Sequence, residues 1–198
     1  MALLNLTRHT AEILQSTKKL WWDFLSSIKW LHDLDVLILW TGNIGSVTGE
    51  LCQSLGMNVD FYTRWDDLSS KINWKQVIIN CLRLNEETTW LINANSLLWF
   101  RWYYISSAGH EIDNQHEIIE LIKSNTLKWY ARDWTHEMAW ADAWNMDYQY
   151  LQKTLAWYNV FITPAIAWST THAIRYSNDV CIENIKQYIQ GAPINLLY

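Results

Sequence analysis

Apolar positions recur along the chain in two alternating rhythms. Residues 3–20 carry helical spacing in Leu3, Leu4, Leu6, Ile13 and Leu14, and residues 35–39 form a short apolar run that predicts a buried strand. Between 43 and 55 the set Ile44, Val47, Leu51 and Leu55 returns to a helical period. Strands are predicted again over 58–62, 77–80 and 103–106, a helix over 115–123, and further strands over 127–131 and 159–163. A last helix is expected over 170–190, with Ile174, Cys181, Ile185 and Ile189 along one side and Gly191 placed to end it. Short strands alternating with helices imply parallel pairing, because a parallel neighbour can be reached only through a crossover. The expected fold class is α/β, a doubly wound parallel sheet with flanking crossover helices. No linker or internal repeat divides the chain, so one domain over 1–198 is expected. From 133 to 155 the rhythm fades, which predicts a long loop beside the site.

The junction after the first predicted strand reads Trp40, Thr41, Gly42, Asn43, Ile44, Gly45. A dinucleotide-binding strand-turn-helix needs Gly-x-Gly-x-x-Gly there: one glycine for the tight turn, one for approach of the pyrophosphate, one for helix-strand packing. Gly42 and Gly45 hold the second and third places; Trp40 holds the first. The acid that reads the adenosine ribose should follow about 20 residues on, at the end of the second strand. Thr63 stands there, followed by Arg64, while Asp60 lies inside the strand and reads as an edge residue. A hydroxyl followed by arginine suits a 2′-phosphate better than a free 2′-hydroxyl, so both NAD and NADP are admitted, with a lean towards NADP. An ordinary αβ turn and a solvated arginine are the plainer readings of the same residues.

Composition narrows the function classes. Half of the 198 residues are apolar and the net charge is -5, which supports a buried core and argues against a nucleic-acid or anionic-membrane surface. No apolar run of about 18 residues occurs, so no membrane span is expected. Cys52, Cys81 and Cys181 are odd in number and far apart, which fits a reduced, cytoplasmic protein without a disulfide frame; no Cys/His spacing points to a metal. One ratio is abnormal. The chain has 15 Trp and 6 Gly, where average usage would give roughly 14 glycines.

Several ordered motifs carry a resemblance. Residues 41–45 (Thr-Gly-Asn-Ile-Gly) and 55–59 (Leu-Gly-Met-Asn-Val) resemble the cofactor domain of the D-isomer-specific 2-hydroxyacid dehydrogenases. Residues 84–93 (Leu-Asn-Glu-Glu-Thr-Thr-Trp-Leu-Ile-Asn) are similar to that family's Leu-x-x-Glu-Thr-x-Gly-Leu-Ile-Asn, with Trp90 in the glycine place. Residues 104–108 resemble the strand leading to the family's catalytic arginine, and 163–170 (Thr-Pro-Ala-Ile-Ala-Trp-Ser-Thr) resemble Thr-Pro-His-Ile-Ala-Gly-Ser-Thr. The ending from Glu183 to Asn195 also matches. Trp40, Trp90, Trp102, Trp129 and Trp168 all fall where the family has glycine. That is the pattern expected if UGA codons meaning glycine are written as tryptophan; a Trp-rich structural or carbohydrate-binding protein is the rival reading.

The resemblance implies a Rossmann-type NAD(P)-binding domain, with 1–20 and 170–190 as interdomain or crossover helices and the N-terminal substrate domain absent from this chain. It implies hydride transfer between nicotinamide and a small 2-hydroxy or 2-oxo acid, and a homodimer. By carry-over, Trp40, Thr41, Gly42, Asn43, Ile44 and Gly45 face the pyrophosphate, Thr63 and Arg64 the adenosine ribose, and Leu82, Arg83 and Thr88 the adenine side. Ser107, Ala108 and Asp133 approach the nicotinamide. The family's catalytic arginine and histidine places hold Gly109 and Ala165 here, and Glu137 lies one residue from the glutamate place. His110, His136 and Glu137 are the candidate acid/base set, all following predicted strand ends. Because of those departures, a catalytically impaired homologue that binds NAD(P) as a sensor or interaction module is the alternative.

Overall fold

The structure, a computed structural model, describes residues 2–8, 29–107, 110–133, 155, 158–163, 166 and 169–195. Its chain divides into two units, residues 1–164 and 165–198. In the first unit six strands form one parallel sheet: β1 (Asp35–Leu39), β2 (Asn58–Tyr62), β3 (Val77–Asn80), β4 (Tyr103–Ser106), β5 (Trp129–Asp133) and β6 (Val160–Thr163). Their order across the sheet is β2-β1-β3-β4-β5-β6. Among the described residues, four helices accompany them: α1 (Ala2–Thr7), α2 (Asn43–Ser54), α3 (Leu68–Ile72) and α4 (Gln115–Lys123), with a 3₁₀ turn at His110–Ile112. The second unit holds α5 (Thr171–Ile189), capped by the Thr170 hydroxyl accepting from the Ala173 N–H and followed by Gly191 at φ +75°.

The central strands are apolar without interruption because both faces of the sheet are covered. Val36 and Ile38 point to one side with Val77, Ile79, Tyr103 and Ala131, where Leu3 and Leu6 of α1, Cys52 of α2 and Met57 meet them. Leu37, Leu39, Ile78, Tyr104 and Tyr130 point to the other, against Leu68 and Ile72 of α3, Ile118 and Ile122 of α4, and Leu97 and Phe100. The period-2 alternation of each strand thus feeds two separate cores.

The structure corrects one predicted boundary and adds two features that the apolar spacing does not show. The apolar stripe that predicts α2, Ile44, Val47, Leu51 and Leu55, faces outward, with 51–64% of each residue exposed. The buried side of α2 is Gly45, Gly49 and Cys52; a Cβ on Gly49 would lie 2.6 Å from Phe61 Cζ, so helix and sheet are too close for larger side chains. β5 is shifted two residues from the predicted 127–131. Leu127 closes the end of α4, where the N–H groups of Thr126 and Leu127 both donate to the Leu121 carbonyl. The strand continues instead through Arg132 and Asp133. α3, with its Asp67 N-cap, was not predicted. The predicted 133–155 loop lies almost wholly outside the described residues.

Arg132 can be buried because the structure provides it a partner. Its guanidinium donates to Asp113 Oδ2 at 2.5 Å and reaches the Tyr130 hydroxyl at 3.5 Å. Asp113 Oδ1 accepts from the Tyr104 hydroxyl and, at 3.1 Å, from Asn80 Nδ2; Asn80 Oδ1 then accepts the Leu82 N–H at 3.1 Å. Burial pushes Tyr130 up to about 12 and Tyr104 well above its ordinary value, so both stay protonated, Tyr104 donating to Asp113 and Tyr130 accepting from Arg132. Burial alone would lower the Arg132 pKa, but Tyr130 and Asp113 reverse that and raise it. The network ties the exits of β3, β4 and β5 together.

Asp113→Ala, which leaves the guanidinium buried without its carboxylate, is expected to cost about 3–5 kcal/mol in urea unfolding. Adding Arg132→Met should recover much of that loss. Equal losses in the single and double variants would show that the pair itself is not what the fold depends on.

Candidate functional site

The chain leaves β1 to one side, forms β2, and returns across β1 to form β3 on its other side. This reversal opens a crevice at the carboxyl ends of β1 and β3, where ligands of such sheets bind. The β1 exit runs straight into α2. Gly42, extended at φ -68° and ψ -175°, is the N-cap, and no side chain caps the helix. The first helical bond runs from the Ser46 N–H to the Gly42 carbonyl at 2.9 Å. The N–H groups of Asn43, Ile44 and Gly45 therefore precede the helical ladder and form the positive end of α2, a cradle suited to an anion. The Thr41 carbonyl accepts from the Ser46 hydroxyl at 2.8 Å, which fastens the turn.

Gly45 is required by contact. A Cβ there would stand 1.9 Å from the Trp40 carbonyl oxygen. Trp40 itself sits at φ +87°, in the left-handed region that glycine enters freely and an indole-bearing residue does not. Its N–H still donates to the Tyr62 carbonyl at 3.0 Å, joining the exits of β1 and β2. The backbone thus has the shape demanded of the first glycine, while the indole lies over Gly42, with Cδ1 and Nε1 each 2.9 Å from where a Gly42 Cβ would be. The main chain fits a pyrophosphate; the Trp40 ring is the group that crowds it. Trp74 and Trp90 repeat the conflict at φ +68° and +53°. Trp102 and Trp129 do not: they lie outside the left-handed region and stack on each other at 5.8 Å. Trp168 is outside the described residues.

Beside the turn lies a cavity of about 700 Å³. Trp40 and Tyr62 line it from the β1 and β2 exits, Arg64 and Trp65 from beyond β2, Leu82 and Arg83 from beyond β3, and Asn85, Glu87, Thr88 and Leu91 from the next turn. That turn is self-organised: Asn85 Oδ1 accepts the Glu87 and Thr88 N–H groups at 2.9 and 3.0 Å, and the Thr88 hydroxyl donates to the Arg83 carbonyl at 2.7 Å. The Arg64 guanidinium carbon stands 6.0 Å from the Trp40 ring centroid and 5.9 Å from that of Trp65. Thr63 turns to Asp66, whose Oδ2 accepts both its N–H at 2.7 Å and its hydroxyl at 2.9 Å. These bonds hold the Asp66 carboxyl below its usual range. Asp60 pairs with Lys71 and Lys75, each at 3.2 Å, in keeping with an edge residue.

The turn residues Trp40 to Gly45 are brought together with Arg64, Leu82, Arg83 and Thr88 at one end of the sheet. Thr63 joins them through its backbone position, with its hydroxyl committed to Asp66. At the β3 and β4 exits, Ser107 donates its N–H and hydroxyl to the Asn80 carbonyl at 3.1 and 3.0 Å. At the β5 exit, Asp133 accepts from the Thr163 hydroxyl at 2.5 Å. His110 opens the 3₁₀ turn. Ala108, His136 and Glu137 lie outside the described residues, so the acid/base set is not assembled by the described structure. Trp65, Tyr62, Asn85, Glu87 and Leu91 were missed as cavity residues; the Asn-x-x-Thr spacing of the 85–88 turn was the available signal.

Trp40→Gly is expected to stabilise the chain by about 1–2 kcal/mol in thermal or urea unfolding, through release of left-handed strain. Gly45→Ala should destabilise it by about 1–3 kcal/mol, since a backbone oxygen blocks the added carbon. Peptide mass sequencing of the protein from its native source is expected to read glycine at 40, 74 and 90; tryptophan at all three would refute the codon explanation.

Comparison with known proteins places this geometry. The model of the D-isomer specific 2-hydroxyacid dehydrogenase NAD binding domain matches residues 1–167. A hydroxypyruvate reductase of Blautia hydrogenotrophica is 23% identical over 175 residues, covering 81% of this chain and 52% of that protein. The NAD-complexed D-isomer specific 2-hydroxyacid dehydrogenase of Lactobacillus delbrueckii ssp. bulgaricus has a similar fold, with TM-score 0.86 and 20% identity over 99% of this chain and 66% of that one. An acyclic imino acid reductase solved with NADPH and D-Arg gives TM-score 0.83 and 17% identity, over 100% of this chain and 65% of that one. The chain thus spans about half the length of the curated relative and just under two thirds of these solved structures. With the fold, the αβ turn and a match across residues 1–167 in agreement, the chain belongs to the D-isomer-specific 2-hydroxyacid dehydrogenase family, through its NAD-binding domain.

Proposed function

We propose that this chain is the dinucleotide-binding part of an oxidoreductase that moves hydride between a nicotinamide cofactor and a small 2-hydroxy or 2-oxo acid. The observation that carries the reading is the junction of two features at the β1/β3 crevice. One is the uncapped, glycine-packed start of α2. The other is the adjoining 700 Å³ cavity. The first suits a pyrophosphate and the second an adenosine, in the order a dinucleotide presents them. When bound, the nicotinamide supplies the hydride; the protein's part is to orient it.

In this reading the N–H groups of Asn43, Ile44 and Gly45 hold the pyrophosphate, with Thr41 and Gly42 shaping the turn. Arg64, Leu82, Arg83 and Thr88 bound the adenosine, and Ser107, Ala108 and Asp133 lie towards the nicotinamide. His110, His136 and Glu137 supply the acid/base set in place of the family residues absent at 109 and 165. Residues 1–20 and 170–190 act as crossover helices to a substrate domain. The assembly is a homodimer of a reducing cytoplasm, with the first helix and the region near it carrying the contact. Among the described residues, no helix is long and apolar enough to cross a membrane.

The test has two stages. Titration of the Trp40→Gly chain with NADH and NADPH, followed by energy transfer from tryptophan, is expected to saturate; no binding by either would overturn the reading. The protein with any remaining domains present should then oxidise the reduced cofactor with glyoxylate, pyruvate or hydroxypyruvate. His136→Ala and Glu137→Gln should each lower kcat by roughly 10²-fold or more, the scale of general acid/base assistance. Saturable binding without turnover on any of these acids would leave the sensor in its place.

A further inference from the structure

Resting on the dinucleotide reading above, we propose that the cavity is built for an adenosine carrying a 2′-phosphate, so that NADPH is the preferred reduced cofactor. A site for the free ribose diol needs a carboxylate at the end of β2, positioned to accept from both hydroxyls. Here that place is Thr63. The nearby carboxylates are already engaged. Asp66 Oδ2 accepts two bonds from Thr63, with Lys71 3.7 Å from its Oδ1, and Asp60 is held between Lys71 and Lys75. Neither acid lines the cavity.

The cations have the opposite disposition. Arg64 and Arg83 both line the cavity, one from each side of the β1/β3 reversal. Among the described residues neither has a carboxylate within ion-pair distance; the Arg64 guanidinium lies over the face of Trp65, a contact that does not depend on the residue at 40. An arginine held on aromatic faces keeps its donors available, and its planar fork matches two phosphate oxygens. Among the described residues Glu87 is the one acid in the lining, on the turn beyond β3, and two arginines against one glutamate favour an anion there. A monophosphate of about two negative charges is favoured there, and a second carboxylate would not be.

Equilibrium titrations of the full chain decide the matter, using NADPH against NADH and adenosine 2′,5′-bisphosphate against adenosine 5′-monophosphate. The 2′-phosphorylated member of each pair is expected to bind roughly tenfold or more tightly, the scale of one charge-assisted bidentate contact. Arg64→Gln should weaken NADPH roughly tenfold more than it weakens NADH, and Thr63→Asp should move the preference towards NADH. Circular dichroism confirms that each variant folds. NADH binding as tightly as NADPH overturns the proposal while leaving the dinucleotide reading intact. So does Arg64→Gln weakening both cofactors equally. Binding of the bisphosphate but of neither dinucleotide overturns the dinucleotide reading and upholds the 2′-phosphate pocket. Binding of nothing overturns both.

Discussion

The site depends on one close approach, that of α2 to the end of β1. Gly45 lies so near the Trp40 carbonyl that no side-chain carbon fits between them. A helix that begins this tightly against a strand end cannot be preceded by a loop long enough to fold over its own first N–H groups. Those groups are left facing the crevice, and the macrodipole adds to them. The same approach forces the backbone at Trp40 into the left-handed region and puts Gly49 against Phe61 further along. An anion cradle, a strained turn and a glycine-lined helix face are thus three consequences of one distance.

Most of the fold was legible in the sequence, because buried parallel strands are short apolar runs that little else mimics. Residues 35–39, 58–62, 77–80 and 103–106 are bounded as expected. What misled was burial that does not look apolar. In α2 the inward face consists of glycines and a cysteine, so hydrophobic periodicity finds the helix but does not tell which face is buried. In β5 a charged residue is fully buried, and Arg132 reads as a strand end until Asp113, 19 positions earlier, is seen against it. A pairing across that separation leaves no local trace. The cofactor side of the site was legible through its turn chemistry, Gly42 and Gly45 after a strand and Thr88 after Asn85. The acid/base side rests on His136 and Glu137, which the described residues do not include.

The buried network gives the crevice floor its definition. Asn80 sits at the exit of β3 and is committed in three directions: to Tyr104, to Asp113 and, through its side-chain oxygen, to the Leu82 N–H. Its carbonyl takes both donors of Ser107. The residue that starts the cavity wall at Leu82 is therefore locked to the same core that locks the β4 exit. Polar residues at a strand terminus usually turn to water. Here they turn inward, and the chain leaving β3 has one path.

Charge shows why such local construction is needed. The chain as a whole is acidic, with a net charge of -5, so its overall field repels a dinucleotide instead of drawing it in. Affinity for an anion must come from groups close enough to act within a Debye length of roughly 8 Å. Arg64 and Arg83 line one opening beside the start of α2 against a single lining acid, Glu87, while the acids at the β2 edge are turned aside: Asp60 to two lysines, Asp66 to Thr63. Pairing those carboxylates with their neighbours removes the repulsion that would otherwise cancel the arginines. The small salt-bridged edge around β2 contributes little stability at its exposure; its consequence is to keep negative charge away from the crevice.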